Sequence, residues 1–190
     1  SFKKLTPVEV KRLEARTVAD PADSDARIRL VVHYSGSKVP SAQESFLNHR
    51  LWLVENQPEI GEKEMFLGQF AHFKNDSPQY LAVKAAWLKQ VKKNVANVAI
   101  RTNAFDFIKL YDRPLAASIA ADGAKLDPDN YELPLMVQKM YASAPSDVTV
   151  ETESQRLDRH RNELISGKLA LATLKKERSN DRDRKRLYLL

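Results

Sequence analysis

Apolar side chains recur at helical spacing along most of this chain, and short polar or proline-containing breaks separate the runs. Between residues 97 and 126 the apolar set Ile100, Phe107, Ile108, Leu110, Leu115, Ile119 and Leu126 falls into two such runs, interrupted at Asp112. Helix-start signals mark the same breaks. Thr6-Pro7-Val8-Glu9 reads as a capping box with proline at the first helical position, and Ser41-Ala42-Gln43-Glu44 as a second box. Ser77-Pro78 and Asp112-Arg113-Pro114 place a capping side chain ahead of a helix-opening proline. The pattern predicts nine helices, at about 6–19, 23–36, 41–56, 62–74, 77–92, 97–110, 113–126, 131–143 and 152–177.

The connectors carry a rhythm of their own. Ala19-Asp20-Pro21, Asn56-Gln57-Pro58, Lys93-Asn94-Val95 and Leu126-Asp127-Pro128 each follow one predicted helix and precede another. Their third residues stand at 21, 58, 95 and 128, so the intervals are 37, 37 and 33. Proline at that place cannot extend the preceding helix and turns the chain into the next pair. The expected unit is an antiparallel helix pair that buries its apolar face only by stacking on its neighbours. In the clearest pair, Ala104, Ala116 and Ala124 would let backbones approach while Phe107 fills the space between them. Trp52 and Trp87 are expected as core plugs in the second helices of their pairs.

Composition narrows the picture. Hydrophobic residues make up 43% of the 190, enough for a packed core, and five glycines are few for an all-β chain with many tight turns. No cysteine is present, which excludes disulfides and cysteine-based metal sites or nucleophiles. No apolar run approaches the roughly 20 residues a bilayer span requires. The opening Ser-Phe-Lys-Lys is compatible with a cytoplasmic protein or with one exported after removal of a leader. Net charge is +6, and residues 151–190 account for most of it, with 11 Lys/Arg against 7 Asp/Glu, whereas residues 1–150 hold 20 against 18.

The combination Asn103-Ala104-x-x-Phe107, Ala116, Ala124 and Asp127-Pro128-Asp129-Asn130 resembles a tetratricopeptide repeat (TPR) of degenerate bacterial type. The likeness is specific over one unit and extends through the connector period to about residues 6–144. It implies an all-α fold, a right-handed superhelix of antiparallel helix pairs. Residues 1–144 would form the repeats, and 145–190 a linker, an amphipathic capping helix and a basic tail. It also implies a non-enzymatic scaffold that binds a protein or peptide on the concave face lined by each pair's first helix. On that face the resemblance puts Val98, Arg101, Phe105, Ile108 and Lys109, with Met65 and His72 from the preceding unit. Phe105 would anchor an acidic peptide, with Arg101 or Lys109 as charge partners; the alternative is that Phe105 packs internally and Arg101 and Lys109 are solvated. The subclass that captures a C-terminal carboxylate needs asparagine where this chain has Phe105, so that mode is not expected.

Reactive constellations are sparse. Ser45 and His49 lie one helical turn apart, but no orienting acid accompanies them in the sequence, and a capping or surface role is expected. His160 and Glu163 share a helix face, and two ligands do not make a zinc site. No cofactor motif is present. The alternative to protein binding is nucleic-acid association through the basic C-terminal segment, with Arg159-His160-Arg161 and the 181–186 run DRDRKR neutralising phosphates. Acidic residues alternate with those cations, and Tyr188 is the lone aromatic there, which weighs against it. Leu157, Leu164 and Leu171, seven residues apart, suit either docking on the last repeat or self-association into a homo-oligomer.

Overall fold

The computed structural model describes residues 5–35, 37–60, 76–127 and 132–142. These form seven α-helices and no strand: α1 (Pro7–Ala19), α2 (Ser24–Tyr34), α3 (Pro40–Asn56), α4 (Pro78–Lys93), α5 (Val98–Ile108), α6 (Arg113–Leu126) and α7 (Glu132–Ala142). The fold class is all-α among the described residues. Seven of the nine expected helices are present within a few residues of their expected ends. The expected helices at 62–74 and 152–177, and the boundary at 144/145, lie outside the described residues.

Capping chemistry accounts for where the helices begin. Thr6 and Glu9 form the reciprocal box at α1, the Glu9 carboxylate accepting from the Thr6 N–H at 2.7 Å. Asp23, Ser77, Asn97 and Asp112 each accept from the backbone N–H three residues on, at the starts of α2, α4, α5 and α6. The Ser41 box does not form. Pro40 takes the first turn of α3, Val39 becomes the cap residue, and the Ser37 hydroxyl accepts from the Val39 N–H at 3.2 Å.

The chain divides into two compact units after Asn94. In the first unit α1 packs on α2, α2 on α3 and α3 on α4. Leu13, Ala26 and Leu30 are wholly buried between α1 and α2, with Leu5, Val10 and Tyr34 closing over them. Trp87, Tyr80 and Val83 are buried on α4. Trp52 is only half-buried and is not a plug; its ring carries the Arg27 guanidinium instead, 4.1 Å from the ring centre. In the second unit α5 packs on α6 and α6 on α7. Ala104 and Ala116 are fully enclosed, as expected, with Ala117, Ala120 and Ala124 beside them and Phe107 buried. Leu110 and Leu126, the last members of the two expected apolar runs, stand exposed at the helix ends.

The pair α2–α3 recurs as α5–α6 with one offset. Cap Asp23 corresponds to Asn97, helix Ser24–Tyr34 to Val98–Ile108, and Pro40 to Pro114, each a step of 74 residues or two 37-residue intervals. Buried Ala26, Leu30 and Val31 correspond in the same way to buried Ile100, Ala104 and Phe105. The preceding helices end in register too: α1 is capped by Asp20, whose N–H bonds Arg16, and α4 by Asn94, whose N–H bonds Gln90.

An arginine holds each pair to the connector before it. Arg27 Nε donates to the Pro21 carbonyl at 3.2 Å, and Arg101 Nε to the Val95 carbonyl at 2.8 Å, each reaching back six residues. The same guanidinium then reaches the second helix of its pair, Arg27 Nη1 to His49 Nδ1 at 3.3 Å and Arg101 Nη1 to the Ile119 carbonyl at 3.3 Å. His49 and Gly123 are equivalent positions under the 74-residue offset. Where the first pair offers an imidazole as acceptor, the second removes the side chain so that the arginine stem reaches the helix backbone. A β-carbon added at Gly123 would stand 3.0 Å from Arg101 Cδ and 2.5 Å from Leu133 Cδ1. Leu133 is itself fully buried, so it has little room to withdraw.

Gly123→Ala is therefore expected to destabilise the second unit. The gain in helix propensity, about 1 kcal/mol, is outweighed by overpacking against two fixed neighbours, about 1–3 kcal/mol or more. Urea and thermal denaturation should show a lower midpoint for Gly123→Ala, and Gly123→Leu should lose cooperative unfolding of α5–α7 altogether.

Candidate functional site

Helix α5 and its C-cap Lys109 carry five of the seven residues expected to line a binding groove, and packing puts the central three inside. Phe105 and Ile108 are 0% exposed and Arg101 is 5% exposed. Phe105 thus follows the interior alternative, and Arg101 is neither on an open groove nor solvated. Phe105 takes the place that Val31 takes in the first pair, an interior position, and Arg101 spends its donors on Val95 and Ile119. Lys109 is half-buried, paired with Asp106 one turn back, and its ammonium lies 5.5 Å from the centre of the Phe105 ring. Val98 is half-buried in the first turn. His72 and Met65 lie outside the described residues.

The densest polar cluster lies in the first unit, where α1, α2 and α3 meet. Tyr34 donates its hydroxyl to Glu14 Oε1 at 2.8 Å. His49 Nε2 stands 3.3 Å from the same carboxylate, and the Tyr34 and His49 rings are near-parallel with centres 6.4 Å apart. A guanidinium can only donate, so Arg27 at Nδ1 makes that nitrogen an acceptor and leaves the imidazole proton on Nε2, facing Glu14. Arg27 completes its contacts with the Pro21 carbonyl and the Trp52 face. Desolvation pulls the Arg27 pKa down from its ordinary value, opposed by the nearby Glu14 and Asp23 charges.

This geometry settles what the Ser45–His49 pair does. Both ring nitrogens of His49 are engaged, one by Arg27 and the other by Glu14, so neither is directed at Ser45. His49 is buried, which replaces the expected capping or surface role with a structural one: it joins α3 to α1 and α2. Glu14, Arg27 and Tyr34 were not anticipated in this role, although one sequence signal was available. Arg27 and Arg101 each stand six residues after a connector's third residue.

Elsewhere, among the described residues, no three His, Asp or Glu side chains are placed to hold a metal ion. No helix of the described residues is long and apolar enough to cross a membrane. No family model, curated protein or solved structure matches this chain.

Two measurements check these assignments. Burial, reinforced by the Glu14 hydrogen bond and charge, raises the Tyr34 pKa from 10.0 to about 12. A raised pKa means the folded state holds the phenolic proton more tightly than the unfolded chain. Its stabilisation is complete below pH 10 and disappears as pH rises through about 12. Unfolding midpoints should fall across that window in the native chain, and Tyr34→Phe should flatten the fall while costing about 1 kcal/mol at neutral pH. For α5, Phe105→Ala is expected to cost about 3–5 kcal/mol, and adding Arg101→Glu should unfold the second unit. Far-UV circular dichroism reads this directly, and a double variant with native stability would restore the open-groove assignment.

Proposed function

We propose that this chain is a non-enzymatic protein-interaction module built from tetratricopeptide-like helix pairs stacked as a superhelix. The observation that supports the reading is the recurrence of one complete pair at two connector periods. Cap residue, first-helix length, arginine, buried triad and helix-opening proline all repeat together between α2–α3 and α5–α6. Repetition at that level of detail is the hallmark of architectures in which each unit contacts its neighbours and leaves a long exposed surface for partners. The interior clusters favour the same reading, because their polar groups are engaged with one another. Partner contact then belongs to side chains that stacking leaves outside, and not to Arg101 and Phe105.

Affinity capture with the intact chain from its native host is expected to retain one or a few partners in near-stoichiometric amount, resolved by mass spectrometry. Recovery of nothing beyond the background of an unrelated helical protein would reject the interaction reading.

A further inference from the structure

The two arginine ties differ in one chemical respect: only the first ends on a group that can take up a proton. Arg101 Nη1 donates to the Ile119 backbone carbonyl, which does not titrate under physiological conditions. Arg27 Nη1 donates to His49 Nδ1, and that lone pair is the one an imidazole gives up on protonation. Histidine ordinarily changes charge between about pH 5 and about pH 8.

The neighbours of His49 determine what a second ring proton does. Among the described residues it interacts with Glu14 from α1 and with Arg27 and Tyr34 from α2. Helix α4, also packed on α3, reaches it through the Gln90 amide at the Glu55 carbonyl and brings no titratable group to the ring. On α3 itself the adjoining Arg50 lies near the Phe46 ring, and His33 of α2 meets the edge of Tyr34. With the imidazole neutral, Nε2–H faces both Glu14 oxygens at 3.3 Å while Nδ1 accepts from Arg27 at 3.3 Å. With the imidazole protonated, Nδ1 carries a hydrogen aimed at the guanidinium. Two donors on two cations then stand where a donor and an acceptor stood, and that hydrogen bond is lost. The Glu14 side responds in the opposite sense, because a hydrogen bond from imidazolium to carboxylate is charge-assisted. Arg27 keeps an anchorage throughout: Nε and Nη2 hold the Pro21 carbonyl, and the guanidinium lies over Trp52. Water is close on both sides, since the Glu14 side chain is 36% exposed and Arg27 is half-buried.

We propose that His49 is a proton-operated exchange: protonation of its ring frees α3 from Arg27 of α2 and binds it more firmly to Glu14 of α1. The proton comes from solvent and resides on Nδ1, Arg27 keeps its own charge, and deprotonation restores the first arrangement. Tyr34 is a bystander, because its hydroxyl donates to Glu14 in both states. Asp23, close to Arg27 and bonded by Arg16, helps hold the released guanidinium on the connector side. The first pair thereby has a pH-dependent link between its helices. The second pair, with a carbonyl as acceptor and Gly123 in place of the imidazole, has none. The proposal goes beyond the interaction-module reading and does not rest on it.

The test is an NMR titration of the intact, isotope-labelled chain from about pH 8 to about pH 5. Ring nitrogen shifts report the tautomer and charge of His49, and nuclear Overhauser contacts report which side chains touch it. The Glu14 carboxyl carbon reports that group's own titration. At the upper end His49 is expected as the Nε2–H tautomer, in contact with Arg27. As pH falls, the Arg27–His49 contact should be lost with the same midpoint as ring protonation, while Glu14 stays in contact. Arg101 serves as the internal control, and its signals should not move. His49→Gln, which has no titrating ring, should show no pH-dependent change at Arg27. An Nδ1–H tautomer, no ring protonation across the window, or an Arg27 contact that survives protonation would each overturn the proposal. So would a loss that follows the Glu14 midpoint, an equal change at Arg101, or the same change in His49→Gln. If that variant does not fold, the separate midpoints of His49 and Glu14 in the native chain decide the matter alone.

Discussion

A buried or half-buried arginine that ties a connector to the helix pair after it is the constraint on which both described pairs depend. The residues just after a helix leave backbone carbonyls without intrahelical partners, and at Pro21 and Val95 those carbonyls face the next pair. A lysine offers a single ammonium to satisfy them. The planar fork of arginine satisfies the connector with Nε and still extends Nη1 to a second helix. Hydrogen bonds from a charged donor are worth about 1.5–3 kcal/mol each, which is large against the stability of a small unit. The entry angle of the first helix and its distance from the second are thereby set by one side chain.

The two pairs meet the same requirement in different ways, and the difference explains their surroundings. In the first, the acceptor is an imidazole. His49 must then be oriented, and Glu14 and Tyr34 supply the orientation, which draws α1 into the cluster. In the second, the acceptor is a backbone carbonyl, so no such support is required. Gly123 is required instead, and the space it frees is closed from the other side by Leu133 of α7. Polar support from the preceding helix in one pair has been replaced by apolar closure from the following helix in the other.

Much of the helical organisation could be read from local chemistry alone. Caps such as Thr6, Ser77, Asn97 and Asp112, and the prolines beside them, act within one turn and leave a signature in consecutive residues. The connectors at Pro21, Pro58 and Val95 follow the ends of α1, α3 and α4 as expected, because a helix stop is likewise a local signal. The α5 groove failed for the opposite reason. Whether Phe105 faces solvent or interior depends on which neighbours cover it, and a repeat register assigns a face without saying what packs there. Arg101 is buried for a similar reason: its acceptors are the Val95 and Ile119 backbone carbonyls, which no side-chain pattern displays.

The arginine contacts with the connectors also bear on how the chain reaches its structure. Each spans six residues, and in the second unit α5 packs on α6 and α6 on α7 in chain order. Contacts between elements so close in sequence keep the entropic cost of loop closure small within these pairs. A chain of this kind is suited to acquiring structure while still emerging from the ribosome, one pair at a time.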